Sequence, residues 1–126
     1  MATVFHTLKV KALQAETTDA CSLVLEIPVD LKSSFVYTPG QYLTFKKIVG
    51  GEELRRSYSI CSSPAEGECR VAIKKVLGGK FSSYVHEVLQ VGDSLEVMPP
   101  AGKFGAMVSQ QVKGNYLAFA AGSGIT

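Results

Sequence analysis

Hydrophobic and polar residues alternate along several short stretches of the chain, which is the pattern of half-buried strands. Across residues 7–13, apolar side chains occupy every second position and lysines lie between them. The alternation returns across residues 21–27 and stops at Pro28, which has no N–H to donate to a ladder. The pattern predicts two strands joined by a polar turn at residues 16–19.

The next part of the chain shows four more strands and one helix. These strands are predicted over residues 41–49, 54–61, 69–76 and 94–98. Residues 50–53 are typical of a hairpin turn. Apolar residues from Phe81 onward recur at helical spacing, which predicts a helix with Ser82 or Ser83 as its N-cap and Gly92 as its end. Short strands with one short helix predict an all-β fold, a six-stranded antiparallel Greek-key β-barrel.

The last apolar run, residues 115–121, is long enough for a fully buried strand and leads into Gly122-Ser123-Gly124. A strand followed by G-x-G is how a dinucleotide-binding half begins. We therefore expect a barrel domain over residues 1–115, in which residues 104–114 form a connection. Residues 116–126 are then expected to be the first strand and glycine turn of a truncated NAD(P)-binding domain. The alternative for the glycine turn is a flexible tail.

Composition limits the possible classes of function. The 126 residues are 46% hydrophobic and 19% charged, which is typical of one globular domain. A net charge of +2 gives no broad basic footprint, so no nucleic-acid partner is expected. Three cysteines and two histidines lack any metal-site or disulfide spacing, which predicts no metal and a reducing compartment. With no signal peptide or membrane-length apolar run visible, a cytoplasmic protein without a membrane partner is expected.

The strand predicted at residues 54–61 contains groups that a purely structural strand does not need. Because side chains alternate, Arg56 and Tyr58 share one face, while Ser57 and Ser59 occupy the other. A guanidinium can bind phosphate through two hydrogen bonds, and a tyrosine ring can pack on a planar ligand. Ser59 needs a local twist or a strand-edge position to reach the same ligand. The alternative is an exposed salt-bridging arginine beside a core tyrosine.

A second candidate element is the Gly78-Gly79 turn before the helix. Glycine allows the backbone to approach a ligand, and a helix N-terminus presents free N–H groups to an anion. Ser82 adds a hydroxyl at that end. The alternative is a plain strand-to-helix turn. His86 lies between apolar helix positions and is expected to be a partly exposed surface residue.

Five segments together resemble the flavin domain of the ferredoxin–NADP reductase superfamily. In chain order they are Pro39-Gly40-Gln41-Tyr42, Arg56-Ser57-Tyr58-Ser59 (the R-x-Y-S motif), Gly79-Lys80-Phe81-Ser82 (the G-x-x-S motif), Pro100-Ala101-Gly102-Lys103-Phe104 and Gly122-Ser123-Gly124-Ile125-Thr126. Within the superfamily, residues 5–8, 51–61 and 78–82 are similar to the reductase subunits of phenylacetyl-CoA oxygenases, which act in phenylacetate degradation.

The resemblance implies a flavin-dependent NAD(P)H oxidoreductase. Such a reductase takes hydride from NADH or NADPH on FAD and passes single electrons to a 2Fe-2S centre. The electrons then reach a di-iron oxygenase component, which is the implied partner. NAD(P)H would bind through the missing domain, and the 2Fe-2S cluster is expected in the full-length protein only, so this chain is not expected to turn over alone.

The resemblance also implies roles for individual residues. Arg56 would bind the FAD pyrophosphate, Tyr58 would pack on the isoalloxazine or ribityl chain, and Ser59, as the catalytic residue, would hydrogen-bond near flavin N5. The glycine turn with the start of the helix would hold phosphate. Lys74 and Lys75 are expected to face solvent, while the backbone groups of Ile73 to Val76, in the fifth strand, can meet the flavin edge. The expected cofactor-binding residues are Arg56, Ser57, Tyr58, Ser59, Ile73, Lys74, Val76, Gly78, Gly79, Lys80, Phe81, Ser82 and, near the nicotinamide, Thr126.

Two other functions stay open from the sequence. A related reductase would serve another acceptor, such as a ring-hydroxylating oxygenase or a haem domain, because the acceptor is chosen by other domains. A small barrel can instead bind nucleic acid, but this needs exposed aromatic residues interleaved with basic ones. Phe45, Phe81 and Phe119 occupy core-like positions here, which disfavours the second alternative.

Overall fold

The computed structural model describes residues 4–102 of the chain. Its strands are β1 (His6–Ala15), β2 (Ala20–Glu26), β3 (Tyr42–Val49), β4 (Glu52–Ser59), β5 (Cys69–Lys74) and β6 (Ser94–Val97). One α-helix, α1 (Lys80–Glu87), and two 3-10 segments, Val29–Phe35 and Pro64–Glu66, complete the described part. No helix within residues 4–102 has the length and apolar content needed to cross a membrane.

The six strands form one antiparallel sheet in the order β4-β3-β6-β1-β2-β5. The sheet curls until its two edge strands meet at a bridge between Ile60 and Val71. At the same place, the Cys61 N–H donates to the Arg70 carbonyl at 2.9 Å. Because β6 comes last in the chain yet lies between β1 and β3, the connection is a Greek key. The predicted six-stranded barrel is confirmed.

The core fills the inside of the curled sheet, where the alternating apolar residues of the strands converge. Its centre consists of side chains that are at most 1% exposed, drawn from the strands and from one residue of α1. The largest of them are Phe45, Phe81, Leu8, Leu23, Leu43, Ile73 and Leu95. Because Phe81 belongs to this set, α1 is anchored directly to the barrel.

The β3–β4 hairpin turn has two residues. Gly50 and Gly51 have φ angles of 60° and 81°, and the flanking residues Val49 and Glu52 pair directly. Two consecutive positive φ angles are the requirement of a type I′ turn, which glycine meets without strain. The turn is therefore shorter than the predicted residues 50–53. It sets the register in which Tyr58 lies opposite Leu43.

The ends of α1 differ from the prediction. The helix begins at Lys80 with Gly79 as its N-cap, and no side chain caps it. Ser82 and Ser83 therefore lie inside the helix. The Ser82 hydroxyl does not cap the helix, because it accepts a hydrogen bond from the Val76 N–H in the preceding turn. The helix ends at Glu87, and Gly92, with a φ of 95°, belongs to the turn before β6.

The 3-10 segment Val29–Phe35 was not predicted. Only Phe35 of this segment is buried, whereas Val29 is 85% exposed, so the segment has no apolar periodicity. The connection expected at residues 104–114, the strand expected at residues 115–121, the Gly122-Ser123-Gly124 turn and Thr126 all lie outside the described residues.

Candidate cofactor site

The candidate site begins with the two faces of β4. On the outer face, the hydroxyls of Ser57 and Thr44 hydrogen-bond at 2.8 Å. On the other face, the rings of Tyr58 and Phe45 lie 6.1 Å apart between centroids. The predicted alternation is confirmed, and Arg56 shares the Tyr58 face, across which α1 begins.

Arg56 presents an exposed guanidinium on this face. One of its terminal N–H groups donates to the Arg55 carbonyl at 2.8 Å, and within residues 4–102 no carboxylate forms a salt bridge with it. Arg55 differs, since its guanidinium pairs with Glu53 at 3.3 Å and lies 5.2 Å from the centre of the Phe5 ring. Because a guanidinium carries five donors, Arg56 has donors left for an anion.

Tyr58 is half-buried and held by aromatic contacts. Its ring stacks on Phe81, with centroids 6.0 Å apart and an interplanar angle of 29°. Burial raises the pKa of the Tyr58 hydroxyl, and the charge of Arg56 partly offsets this. The tyrosine therefore stays neutral near pH 7 and offers a fixed, partly exposed ring beside the guanidinium.

The turn before α1 is tightened by Ser82. The Ser82 hydroxyl is buried, accepts the Val76 N–H at 3.1 Å and donates to the Gly79 carbonyl at 3.3 Å. A Cβ on Gly79 would lie only 2.7 Å from that hydroxyl oxygen, so the turn leaves no space for a side chain there. Gly78 has a φ of 77°, which also favours glycine. The turn thus brings bare backbone to the surface at the start of α1.

Lys80 links α1 to the start of β4. Its ammonium forms a salt bridge with Glu52, and this contact lowers the pKa of the Glu52 carboxyl. Glu52, Arg56 and Tyr58 occupy alternate positions of β4 and so share a face. The guanidinium of Arg56, the ammonium of Lys80 and the helix N-terminus therefore lie on one side of the barrel. The Glu52 carboxylate lies there too and offsets one of the two positive side chains, so a modest positive excess remains.

The end of β5 and the residues that follow it can contribute mainly backbone groups to the site. The Ile73 side chain is fully buried, whereas Lys74 and Val76 are exposed. Backbone groups of alternate strand residues point to the same edge, so Lys74 directs its N–H and C=O to the edge where Arg70 meets Cys61. His86 was expected only as a surface residue, yet its Nε2 lies 2.9 Å from the Ile73 carbonyl oxygen.

Ser59 lies away from the Arg56 face. It pairs with Tyr42 on the opposite face of the hairpin, and Tyr42 bridges to Ala101 through two backbone hydrogen bonds of 2.9 and 3.0 Å. Gly102, with a φ of 113°, packs against Tyr42, where a Cβ would lie 3.0 Å from the ring. The structure thus joins two of the sequence motifs beside Ser59, a contact that the sequence did not predict.

The candidate residues therefore fall into groups. Arg56, Tyr58 and the start of α1 come together, whereas Ser57 and Ser59 lie on the other face of β4. Phe81 contributes to the core and contacts the site only through Tyr58. Thr126 lies outside the described residues.

The chemistry of the first group fits an anionic dinucleotide such as FAD. Arg56 offers charge-assisted donors to a pyrophosphate, and the Gly78-Gly79 turn lets that group approach the backbone. Tyr58 offers an aromatic surface to a planar or apolar part of the ligand. The lack of a side chain at Gly79 is part of this fit, because a Cβ there would lie 2.7 Å from the Ser82 hydroxyl oxygen.

Residues 7–105 match the oxidoreductase FAD-binding domain family. The chain belongs to this family. Its barrel is that of the ferredoxin reductase-like flavoproteins, as the resemblance indicated. The match spans every described strand except the first residue of β1, so the family assignment and the fold rest on the same residues.

Relatives of this FAD-binding domain include an epoxidase subunit and a flavohemoprotein. The chain is 48% identical over 124 residues to one of the subunits of 1,2-phenylacetyl-CoA epoxidase from Escherichia coli, covering 98% of this chain and 35% of that protein. It is 38% identical over 96 residues to a flavohemoprotein of Pseudomonas aeruginosa, covering 76% of this chain and 24% of that protein. This FAD-binding domain thus spans about a third or less of these curated relatives.

A solved structure is also similar. The FAD/NAD-binding domain of the nitric oxide dioxygenase of Vibrio cholerae superposes with a TM-score of 0.66 and is 30% identical. The superposition covers 80% of this chain and 45% of that one. The architecture of the FAD-binding domain is therefore shared with a protein whose described domain binds both FAD and NAD.

Proposed function

We propose that this chain is the FAD-binding barrel of an NAD(P)H-dependent electron-transfer reductase. Residues 1–115 form the barrel in this proposal, and residues 116–126 begin the nicotinamide domain. FAD supplies the redox chemistry when bound, and the protein supplies position and electrostatics. Arg56 holds the pyrophosphate, Tyr58 packs on the flavin side of the molecule, and the Gly78-Gly79 turn admits the phosphates to the start of α1.

The observation that supports this assignment best is the environment of Arg56. Its guanidinium is exposed beside Tyr58 and the start of α1, and within residues 4–102 it forms no salt bridge, although its charge helps to lower the pKa of the nearby Glu52 carboxyl. An arginine retained only for stability would more commonly pair with a carboxylate, as Arg55 does with Glu53. The side chain is therefore available to bind a phosphate.

Ser59 lies on the face opposite Arg56, at the end of β4. Ser59 is the last residue of β4 and is exposed beside Tyr42. A flat ring that extends past the end of the strand can contact groups from both faces there. We keep Ser59 as the residue that hydrogen-bonds the reactive part of the flavin, reached around the end of β4.

The acceptor that we propose is an iron–sulfur centre and, through it, the oxygenase component of phenylacetyl-CoA oxidation. Support comes from the 48% identity to the Escherichia coli 1,2-phenylacetyl-CoA epoxidase protein. A haem acceptor is the second candidate, since a flavohemoprotein is 38% identical over 96 residues. In the full-length protein, an iron–sulfur EPR signal on reduction with NADH or NADPH, distinct from that of a flavin radical, would indicate the cluster, and a Soret band would indicate haem.

FAD binding is tested by titrating the purified 126-residue chain with FAD, with FMN as the matched ligand. FMN lacks the second phosphate and the adenosine, so a preference for FAD reports contacts beyond the flavin ring. Quenching of flavin fluorescence should saturate with FAD, and FMN should bind more weakly. A chain that binds neither flavin, while still folded by circular dichroism, would contradict the proposal.

The contribution of Arg56 is tested by Arg56→Ala, with Arg55→Ala as the neighbouring control. Loss of a charge-assisted phosphate contact should weaken FAD binding by about 2 kcal/mol, roughly thirtyfold in Kd. Arg55 lies on the outer face against Phe5, so its replacement should leave the Kd for FAD within about twofold. Equal FAD affinity in Arg56→Ala and the parent would remove Arg56 from the site.

A further inference from the structure

Three side chains of α1 contact residues 73–76, which are the last two residues of β5 and the first two after it. His86 Nε2 lies 2.9 Å from the Ile73 carbonyl oxygen, and Ser82 accepts the Val76 N–H at 3.1 Å. Between them, the Lys75 ammonium pairs with Glu87 at 3.2 Å. These contacts attach residues 73–76 to the helix, in addition to the β2–β5 ladder, in which Ile73 pairs with Cys21, and to the hydrogen bond from the Lys75 N–H to the Asp19 carbonyl at 2.6 Å.

Ser82 and His86 are four residues apart and so lie on one face of α1. The adjacent face contains Phe81 and Val85, which are buried in the core. Docking of the apolar face thus sets the position of the polar one. Since a carbonyl oxygen only accepts, His86 donates through Nε2, and its ring is protonated at that nitrogen.

The three contacts differ in what they fix. The Lys75–Glu87 pair is exposed, and exposed pairs contribute little to stability. The Ser82 hydroxyl acts within the turn itself, since both its partners belong to residues 76–79. His86 alone among them is half-buried and binds a carbonyl within β5, so it fixes the end of the strand relative to the helix.

We propose that His86 is a positioning residue for FAD. By donating to the Ile73 carbonyl, it holds the backbone of Lys74 and the turn up to Gly79 in the arrangement that receives the cofactor. The inference rests on the proposed FAD function. It assigns His86 no contact with FAD, because the residue acts through the backbone that it orients.

The test compares His86→Gln with His86→Asn, which carry the same amide on side chains of different length. The Gln amide nitrogen can occupy the place of Nε2 and donate to the Ile73 oxygen, whereas the Asn amide is too short. We expect His86→Gln to bind FAD within about twofold of the parent, and His86→Asn to bind it roughly three- to tenfold more weakly. Glu87→Gln, which removes the exposed ion pair from the same helix, should bind like the parent.

A second measurement separates positioning from general destabilisation. Amide hydrogen exchange should become faster at Val76 and Gly79 in His86→Asn, with the β1–β2 ladder unchanged and His86→Gln like the parent. Equal FAD affinity in the Asn and Gln variants, with Arg56→Ala still impaired, would overturn the role of His86 and leave the proposed function intact. A parent chain that binds no FAD would overturn both.

Discussion

Gly79 and Ser82 compete for one small volume at the start of α1. A Cβ on Gly79 would lie 2.7 Å from the Ser82 hydroxyl oxygen and 3.1 Å from the Val76 carbonyl oxygen. The φ of Gly79 is −77°, which any residue adopts, so the restriction is steric and independent of backbone strain. Substitution here therefore probes packing of the turn directly.

Gly79→Ala should lower the free energy of unfolding by about 1–3 kcal/mol, because the turn must open to admit the methyl group. Ser82→Ala should cost a similar amount, since the Val76 N–H loses its acceptor. In the double variant the closest clash is gone, so the combined loss should be at least about 0.5 kcal/mol smaller than the sum. Urea unfolding of the four proteins measures this coupling.

Gly78→Ala is the control for that cycle. Among the described residues, and apart from its chain neighbours, no heavy atom lies within 4 Å of a Cβ at Gly78, but its φ of 77° strains any other residue. Gly78→Ala should therefore be destabilising by about 1–2 kcal/mol and additive with Ser82→Ala. Strict additivity in the Gly79 cycle as well would show that the hydroxyl and the methyl group do not compete.

At the residue scale, the sequence predicted side-chain direction better than side-chain partners. Alternation along β4 sufficed to place Arg56 with Tyr58 and apart from Ser59. It could not reveal the bond from His86 to Ile73, because that contact depends on how a helix docks across a strand thirteen positions earlier. Fixing such a partner requires the tertiary structure.

The helix α1 is attached to the barrel mainly through the Phe81 ring. Phe81 is 1% exposed, and its ring lies about 6 Å from those of Phe45 and Tyr58. Phe81→Ala should reduce the free energy of unfolding by about 3–5 kcal/mol, as expected for a buried phenylalanine. Because Tyr58 loses its stacking partner, FAD affinity should fall as well. Denaturant unfolding and FAD titration measure the two effects.

Two further variants define the role of Phe81. Phe81→Leu keeps an apolar group in the core and should cost only about 1–2 kcal/mol, so it allows FAD titration even where the alanine variant does not fold. Tyr84→Ala removes a half-buried ring from the same helix and should cost less than Phe81→Ala. If Tyr84→Ala lost more stability than Phe81→Ala, Phe81 would not be the main anchor of the helix.

At the element scale, strands were easier to predict than helix ends. The six described strands were recognised because apolar residues recur with a period of two in the sequence, although β2 is buried on both faces in the structure. The segment Val29–Phe35 has only one buried residue, so no period is present to detect. Ser82 is a residue type that commonly caps helices, but its hydroxyl accepts the Val76 N–H instead. A local sequence pattern cannot distinguish these two roles of a serine.

The whole molecule should lose stability in alkaline solution. Burial, together with the neighbouring Cys61 thiol, raises the pKa of the Cys69 thiol from 9.0 to about 11. The unfolded chain therefore releases this proton at lower pH than the folded one. The contribution of the thiol to stability is fully present below pH 9 and is lost as the pH rises towards 11. The loss from this group should reach about 2–3 kcal/mol in urea unfolding followed between pH 8 and 11.

Cys69→Ala provides the control for this pH dependence. The variant starts from a lower stability, because a core side chain becomes smaller, but its decline between pH 9 and 11 should be shallower. Part of the decline should persist, since burial also raises the pKa of Tyr37 and Tyr58. Parallel pH profiles for parent and variant would show that the Cys69 thiol does not contribute.

The strand order has a consequence for how the chain is made. β6 has only four residues and is the last described strand to be synthesised, yet it joins β1 to β3 in the middle of the sheet. Until Val97 leaves the ribosome, backbone pairing within residues 4–102 between the β3–β4 hairpin and the β1-β2-β5 strands is limited to the Ile60–Val71 bridge with its Cys61–Arg70 hydrogen bond. The nascent chain must therefore wait with two unpaired strand edges, the kind of surface that chaperones protect from aggregation.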